Sequence, residues 1–227
     1  MPRLEWDKTS EHIYETGTDH GVLYVQEANG TYGKGVAWNG LTAVNETPSG
    51  AEANPIYADN IKYLDIRSAE EFGATIEAYT YPDEFMLCDG SATPAKGVVV
   101  GQQPRRAFGF SYRSIVGNDT LLNDFGYKLH LIYGATANPS EKAYQTVNDS
   151  PEAISFSWEM TTVPIAVNLT DPTTNKQFKP TAQLTIDSTK VDATKLKSLE
   201  DILYGDGTND ARLPLPEEVL RLFGVTG

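Results

Sequence analysis

Alternating apolar and polar side chains are the feature that most constrains how this chain folds. The clearest run covers residues 153–160, where Phe156, Trp158 and Met160 share one face while serine and glutamate occupy the other. A period of two is that of a β-strand with one buried face. Similar or shorter runs predict further strands at residues 21–26, 36–38, 41–45, 74–80, 108–116, 127–133 and 183–187. We therefore expect a mainly β chain.

The dipeptide Asn39-Gly40 separates two of these predicted strands. Asparagine and glycine readily adopt the positive φ angles that a type I′ turn requires. This predicts a β-hairpin in which residues 36–38 pair with residues 41–45.

Helical signals are few. Pro82 opens a short helical segment that Gly90 ends, and two acidic residues in its first turn complement the helix dipole. Asp192 is placed to cap a second helix, and Pro216 opens a third. These signals predict a few accessory helices beside the strands.

The order of the elements predicts the domain organisation. Strands come first and two of the three helices come last, and no internal repeat or low-complexity block interrupts the chain. We predict one all-β or α+β domain over residues 1–227, with a helical C-terminal segment at 192–227.

The composition excludes several classes of protein. The 227 residues include 31 acidic and 18 basic side chains, a net charge of −13 that disfavours ordinary binding to nucleic-acid phosphates. One cysteine forms no internal disulfide, and three scattered histidines lack the spacing of metal ligands. Neither a signal peptide nor a segment of membrane-spanning length is present, which predicts folding in a reducing cytoplasm.

Catalytic motifs are fragmentary. Asp7, Asp206 and Asp210 lie in strings that resemble parts of the phosphoryl-transfer signatures of haloacid dehalogenases. In such an enzyme Asp7 would be the nucleophile, and Asp206 and Asp210 would bind magnesium. The nucleophile must lie at the end of a buried parallel strand, whereas this chain has the alternating pattern of antiparallel strands. A serine nucleophile elbow is also missing, since "GFSYR" at residues 109–113 lacks the second glycine. No catalytic residue, metal or cofactor is predicted.

Several longer strings together resemble the major tail protein of siphophages and related prophages, which is the subunit of the tail tube. The strings begin with "GVAWNGLTAVNETPSGAEANPIYADNIKYLDI" and continue through "EEFGATIEAYTYPDEFMLCDG", "QQPRRAFGFSYRSIVGND" and "GYKLHLIYGATANPSEKAYQTVNDSPEAISFSWEMTTVPI" to "LPLPEEVLRLF". They follow the order of the family and run from about Gly35 to Phe223.

The resemblance implies a β-sandwich or barrel of the phage tail tube type with a flanking α-helix. Its members form hexameric rings that stack into a hollow tube, through which DNA passes into the host cell without specific binding. The expected partners are other copies of the chain, a tape-measure protein, a tail terminator and tail-tip proteins. We expect a subunit made in the host cytoplasm and located in the virion tail.

The resemblance also implies where the subunit contacts its neighbours. Residues 45–57 correspond to an extended assembly loop that reaches an adjacent copy. Residues 1–20 precede the resembling strings, and we expect them to form an N-terminal arm. The interface residues predicted in this loop are Thr47, Pro48, Pro55, Ile56 and Tyr57. The two prolines limit the freedom of the unbound loop and so reduce the ordering cost of docking.

The acidic charge has a function in such a tube. Carboxylates that line the lumen repel DNA phosphates, so that DNA slides without being held. Glu77 and Asp187 lie on the polar faces of predicted strands and are the candidates for this lining.

Other functions stay open from the sequence. The chain could be a tube subunit of a tailocin or of a secretion machine, which share this architecture. It could also be a monomeric ligand-binding β-module, for example one that binds carbohydrate. A magnesium-dependent phosphatase that uses Asp7 is the remaining alternative.

Overall fold

The computed structural model describes residues 3–147, 149 and 152–226, and it is mainly β. The strands are β1 (Ile13–Val25), β2 (Val36–Ala37), β3 (Leu41–Glu46), β4 (Ser49–Gly50), β5 (Ala53–Ala58), β6 (Ile61–Arg67), β7 (Glu70–Glu71), β8 (Gly73–Ala78), β9 (Ala92–Ala95), β10 (Val98–Val100), β11 (Phe108–Asn118), β12 (Leu122–Ala137), β13 (Phe156–Thr162) and β14 (Gln183–Asp187). The α-helices are α1 (Met86–Asp89), α2 (Ala193–Tyr204) and α3 (Pro216–Leu222), and a 3₁₀ turn at Asp83–Phe85 precedes α1.

One antiparallel sheet organises the body of the protein. Its strand order is β2-β1-β11-β12-β13-β8-β3, and β14 pairs with β12 beside this path. The edge strands β2 and β3 are consecutive in the chain, and only residues 38–40 connect them. The sheet therefore curls until its two ends meet and enclose a core.

The hairpin predicted at Asn39-Gly40 is wrong. Strand β2 pairs with β1 and β3 pairs with β8, so the dipeptide joins opposite edges of the sheet. Gly40 has a positive φ of 76°. The reason is packing: Trp38 is buried in the core just before the turn, and this directs β3 away from β2.

Aromatic side chains fill the space that the curled sheet encloses. Trp38 lies 4.6 Å from Phe85, 5.5 Å from Phe110 and 5.6 Å from Trp158 between ring centroids, in tilted or edge-on contacts. Such contacts stabilise beyond their area burial. Trp158 and Met160 are buried on β13 while Ser157 and Glu159 are exposed, which confirms the alternation predicted there.

A second core lies on the other face of the long strands. Leu129, Leu131 and Tyr133 of β12 pack against α2 and α3. The Asp192 carboxylate accepts hydrogen bonds from the N–H groups of Thr194 and Lys195, each at 3.0 Å, which confirms its predicted role as the cap of α2. The middle of the sheet is thus covered on both faces.

The predicted N-terminal arm divides into two parts. Residues 3–12 lie outside the strands, whereas Ile13 begins β1 and pairs with Asn118 of β11. Residues 1 and 2 lie outside the described residues. From Ile13 onward, the N-terminal segment therefore belongs to the sheet.

Candidate assembly interface

The segment between β3 and β8 projects from the body as a β-hairpin, which we call the arm (residues 47–72). Strands β5 and β6 pair along their length, and β4 pairs with β7 nearer the body. Every residue of β5 and β6 is exposed. Asp59 and Asn60 join the two strands with φ angles of 50° and 65°, as a type I′ turn requires.

The prediction of an extended loop at residues 45–57 is therefore wrong in its conformation and its end. Residue 45 belongs to β3 and residues 53–57 to β5, and the arm continues to residue 72. The cause lies in the sequence of β6, whose β-branched and aromatic side chains favour a strand and supply a pairing partner for β5.

One face of the arm is apolar. Ile56 lies directly opposite Leu64, Ile66 is the next residue on that face of β6, and Ile61 lies opposite Ala58. Directly paired residues project to the same face of an antiparallel ladder. An irregularity in the register between Ile56 and Tyr57 brings Ile61 onto the same face. We call Ile56, Ile61, Leu64 and Ile66 the apolar face of the arm.

The five predicted interface residues occupy different parts of the arm. Thr47 and Pro48 lie at its root, where the Thr47 N–H donates to the Gly73 carbonyl at 2.8 Å. Ile56 lies on the apolar face, while Pro55 and Tyr57 are its neighbours along β5 and project to the opposite face.

Sequence reasoning missed the β6 residues of the apolar face. The signal was present in "IKYLDI" at residues 61–66, which is rich in strand-forming residues and follows the polar dipeptide Asp59-Asn60.

Of the two predicted lumen acids, Glu77 lies on a polar face of the sheet. The outward residues of β8 and β13 are Thr75, Glu77, Ser157, Glu159 and Thr161, and they include two acids but no base. Glu77 pairs with Ser157, so Glu159 is its diagonal neighbour. The Glu77 carboxylate accepts a hydrogen bond from Asn45 Nδ2 at 3.1 Å. These outward side chains therefore give the face a net negative charge.

Asp187 has a different environment. Its carboxylate accepts hydrogen bonds from the N–H and hydroxyl of Thr189, at 3.0 and 2.6 Å, and lies 2.9 Å from Lys190 Nζ. Burial acts to raise the pKa of Asp187, but these hydrogen bonds outweigh it, and the pKa lies below its usual range. Asp187 thus holds the turn that follows β14.

A polar cluster lies where the arm leaves the body. Glu46 Oε1 accepts hydrogen bonds from the Tyr112 hydroxyl and from Gln183 Nε2, both at 2.7 Å, and lies 3.5 Å from His130 Nδ1. The hydrogen bond with His130 is the largest cause of a pKa of about 2 for Glu46. Ser114 Oγ lies 2.9 Å from His130 Nε2.

Ser114 contacts His130, and His130 contacts Glu46, as the three residues of a serine hydrolase triad do. The backbone around Ser114, however, does not suit that chemistry. Ser114 lies within β11 and is paired with Thr18 on one side and Lys128 on the other. Its backbone is engaged in ladders, whereas an oxyanion hole requires N–H groups that point at the substrate. The three side chains form a structural hydrogen-bonded cluster.

The residues suggested for a phosphatase do not form a site. Asp7 is exposed in a bend before β1. Asp206 accepts hydrogen bonds from the N–H groups of Thr208 and Asn209, which close a turn and lower its pKa to about 2. Asp210 contacts Lys34 Nζ at 2.6 Å. Within residues 3–147, 149 and 152–226, no group of three His, Cys, Asp or Glu side chains is placed to hold a metal ion.

Two strand edges complete the candidate interface. Strand β2 covers only Val22 and Leu23 of β1, so residues 13–19 pair with β11 alone among the described residues. Strand β14 pairs with β12 alone in the same part of the chain. The sheet β1-β11-β12-β14 therefore ends in an unpaired edge on each side.

Comparison with known proteins adds no assignment, because neither a family model nor a curated protein matches the chain. No helix in the described part of the chain has both the length and the apolarity to span a membrane. The arm, the polar face and the two strand edges are thus the observations that bear on function.

Proposed function

We propose that this chain is the tail tube subunit of a long-tailed bacteriophage. Copies of the chain assemble into hexameric rings, and the rings stack into a tube that conducts DNA into the host cell. The observation that carries the proposal is the arm, whose apolar face is left exposed by the described part of the chain.

Exposure of the arm's apolar side chains to water is unfavourable in free energy, and their burial on another copy of the chain removes that penalty. An isolated two-stranded hairpin is only marginally stable, because it has no third layer to cover its apolar side chains. Ile61 and Ile66 are 64% and 53% exposed in the single subunit. Docking on a neighbouring subunit would cover these side chains and stabilise the arm.

The two unpaired edges support ring formation. Exposed strand edges invite pairing with another chain. If the β1 edge of one subunit pairs with the β14 edge of the next, the interface is head-to-tail, and such an interface closes into a ring when its rotation allows. Each subunit would then contribute four strands to a continuous sheet.

The charge distribution suits a conduit for DNA. The polar face around Glu77 and Glu159 is acidic, and the whole chain has a net charge of −13. Facing the lumen, these carboxylates would repel phosphates and keep DNA mobile. The proposal includes contacts with a tape-measure protein, a tail terminator and tail-tip proteins in the virion tail.

Sedimentation velocity across a concentration series tests the proposal. The wild-type chain is expected to form large species above a threshold concentration. A variant in which Asn-Gly replaces residues 49–71 is expected to stay small, because it lacks the apolar face. A wild-type chain that stays monomeric even with tape-measure and tail-tip proteins would refute the proposal, and affinity of that monomer for sugars would favour the ligand-binding module.

A further inference from the structure

The Glu46 carboxylate connects the root of the arm to strands β11, β12 and β14. Glu46 is the last residue of β3, and the arm begins at the next residue. Strand β3 is an edge strand that pairs with β8. The chain returns from the arm at Gly73, the first residue of β8, so β3 and β8 together support the arm.

Glu46 reaches three strands that are not its ladder partners. Its Oε1 atom accepts from Tyr112 on β11 and Gln183 on β14, and it lies near His130 on β12. The rings of Tyr112 and His130 stack with centroids 4.5 Å apart, which keeps both groups in place. These partners are far from Glu46 in sequence, so the contact exists only in the folded sheet.

We propose that Glu46 is a positioning residue that holds the root of the arm against β11, β12 and β14 and so fixes the direction in which the arm leaves the subunit. Hydrogen bonds to a charged acceptor are stronger than those between neutral groups. Removal of the carboxylate leaves the Tyr112 hydroxyl and the Gln183 amide without this acceptor, so the end of β3 is no longer drawn toward those strands.

Electron paramagnetic resonance distances in the monomer test this proposal. Nitroxide labels on Lys62→Cys in the arm and Ser198→Cys on α2 report the position of the arm, in a background where the buried Cys88 is replaced by alanine. Glu46→Ala is expected to widen the distance distribution at least twofold. Glu159→Ala, which removes an exposed carboxylate from β13, is the matched control and is expected to leave the width unchanged.

An unchanged distribution in Glu46→Ala would overturn the proposal, and so would equal widening in the control. If Glu46→Ala fails to fold, Glu46→Gln serves instead, because it keeps an acceptor oxygen for Tyr112 while removing the charge that faces His130. An intermediate width is then expected, and a wild-type width would overturn the proposal.

The consequence for assembly rests on the proposed function. A loosened arm must be ordered again on docking, and ordering about one residue corresponds to about a tenfold rise in the threshold concentration. The proposed function and the positioning role of Glu46 can be refuted independently. Wild-type chains that never assemble refute the proposed function but leave the distance result intact, whereas a normal distance distribution in Glu46→Ala refutes the role of Glu46 even if tubes form.

Discussion

Replacement of the central pair of the apolar face, Ile56→Thr with Leu64→Thr, is expected to weaken assembly without destabilising the subunit. Threonine is β-branched and favours strands, so the hairpin should form as before. Both side chains are exposed in the single chain, and surface substitutions of this kind usually change stability by no more than about 0.5 kcal/mol. The loss should therefore appear only when copies of the chain associate.

The magnitude follows from the exposure of the two side chains. Ile56 and Leu64 are each 39% exposed in the single chain. Full burial of such a side chain contributes about 1.5–3 kcal/mol, so docking of this pair contributes about 1–2 kcal/mol for each arm. In a hexameric ring the six arms dock together. The substitution would therefore remove about 6–12 kcal/mol of the free energy with which one ring docks on the next.

Light scattering against protein concentration measures the threshold for assembly, and urea unfolding measures the stability of the subunit. Ala53→Thr with Arg67→Thr is the matched control, because this directly opposed pair lies on the other face of the same hairpin. We expect a strongly raised threshold for the apolar-face variant alone. A wild-type threshold for that variant, or an equal rise in the control, would refute the reasoning that this face docks.

Three further predictions concern the subunit itself. Trp158→Ala should lower the free energy of unfolding by about 3–5 kcal/mol in urea, because it empties the centre of the aromatic core, and a loss below about 1 kcal/mol would contradict that packing. Asp192→Ala should cost about 1 kcal/mol through loss of the α2 cap, whereas an unchanged unfolding midpoint would contradict that role. Glu46 has a pKa of about 2 in the folded protein, below its ordinary value of 4.5. Its contribution to the free energy of unfolding is therefore complete above pH 4.5 and is lost as the pH falls through about 2. Because its side chain is 30% exposed, the loss is about 1–2 kcal/mol, which acid titration of wild type against Glu46→Gln should show, and parallel curves would contradict it.

The elements with a strong local pattern could be predicted from the sequence. The alternation around Trp158 predicts β13, and Asp192 followed by an apolar stripe predicts α2. Both succeed because one face of the element is decided by the spacing of its own side chains.

Other features depend on contacts between distant parts of the chain. Asn39-Gly40 has the local chemistry of a hairpin turn, but the burial of Trp38 sends the two strands to opposite edges of the sheet. The contacts of Glu46 with His130 and Gln183 leave no trace in the spacing of the sequence, because they are brought together by the closure of the sheet. Both features follow from tertiary packing.

The arm itself could be predicted only in part. The sequence indicates a segment with little of its own to bury, and Ile56 was placed within it. The predicted loop ended at residue 57, before β6 begins. The pairing of β5 with β6, and the apolar face that results from it, therefore lay outside the prediction. The unpaired edges of β1 and β14 depend on the strand order, which local patterns do not determine.

Negative-stain electron microscopy of the purified wild-type chain, across the same concentration series, tests the central claim most directly. We expect rings and hollow tubes with sixfold end views above the threshold concentration. Single compact particles at every concentration, with tape-measure and tail-tip proteins also added, would contradict it.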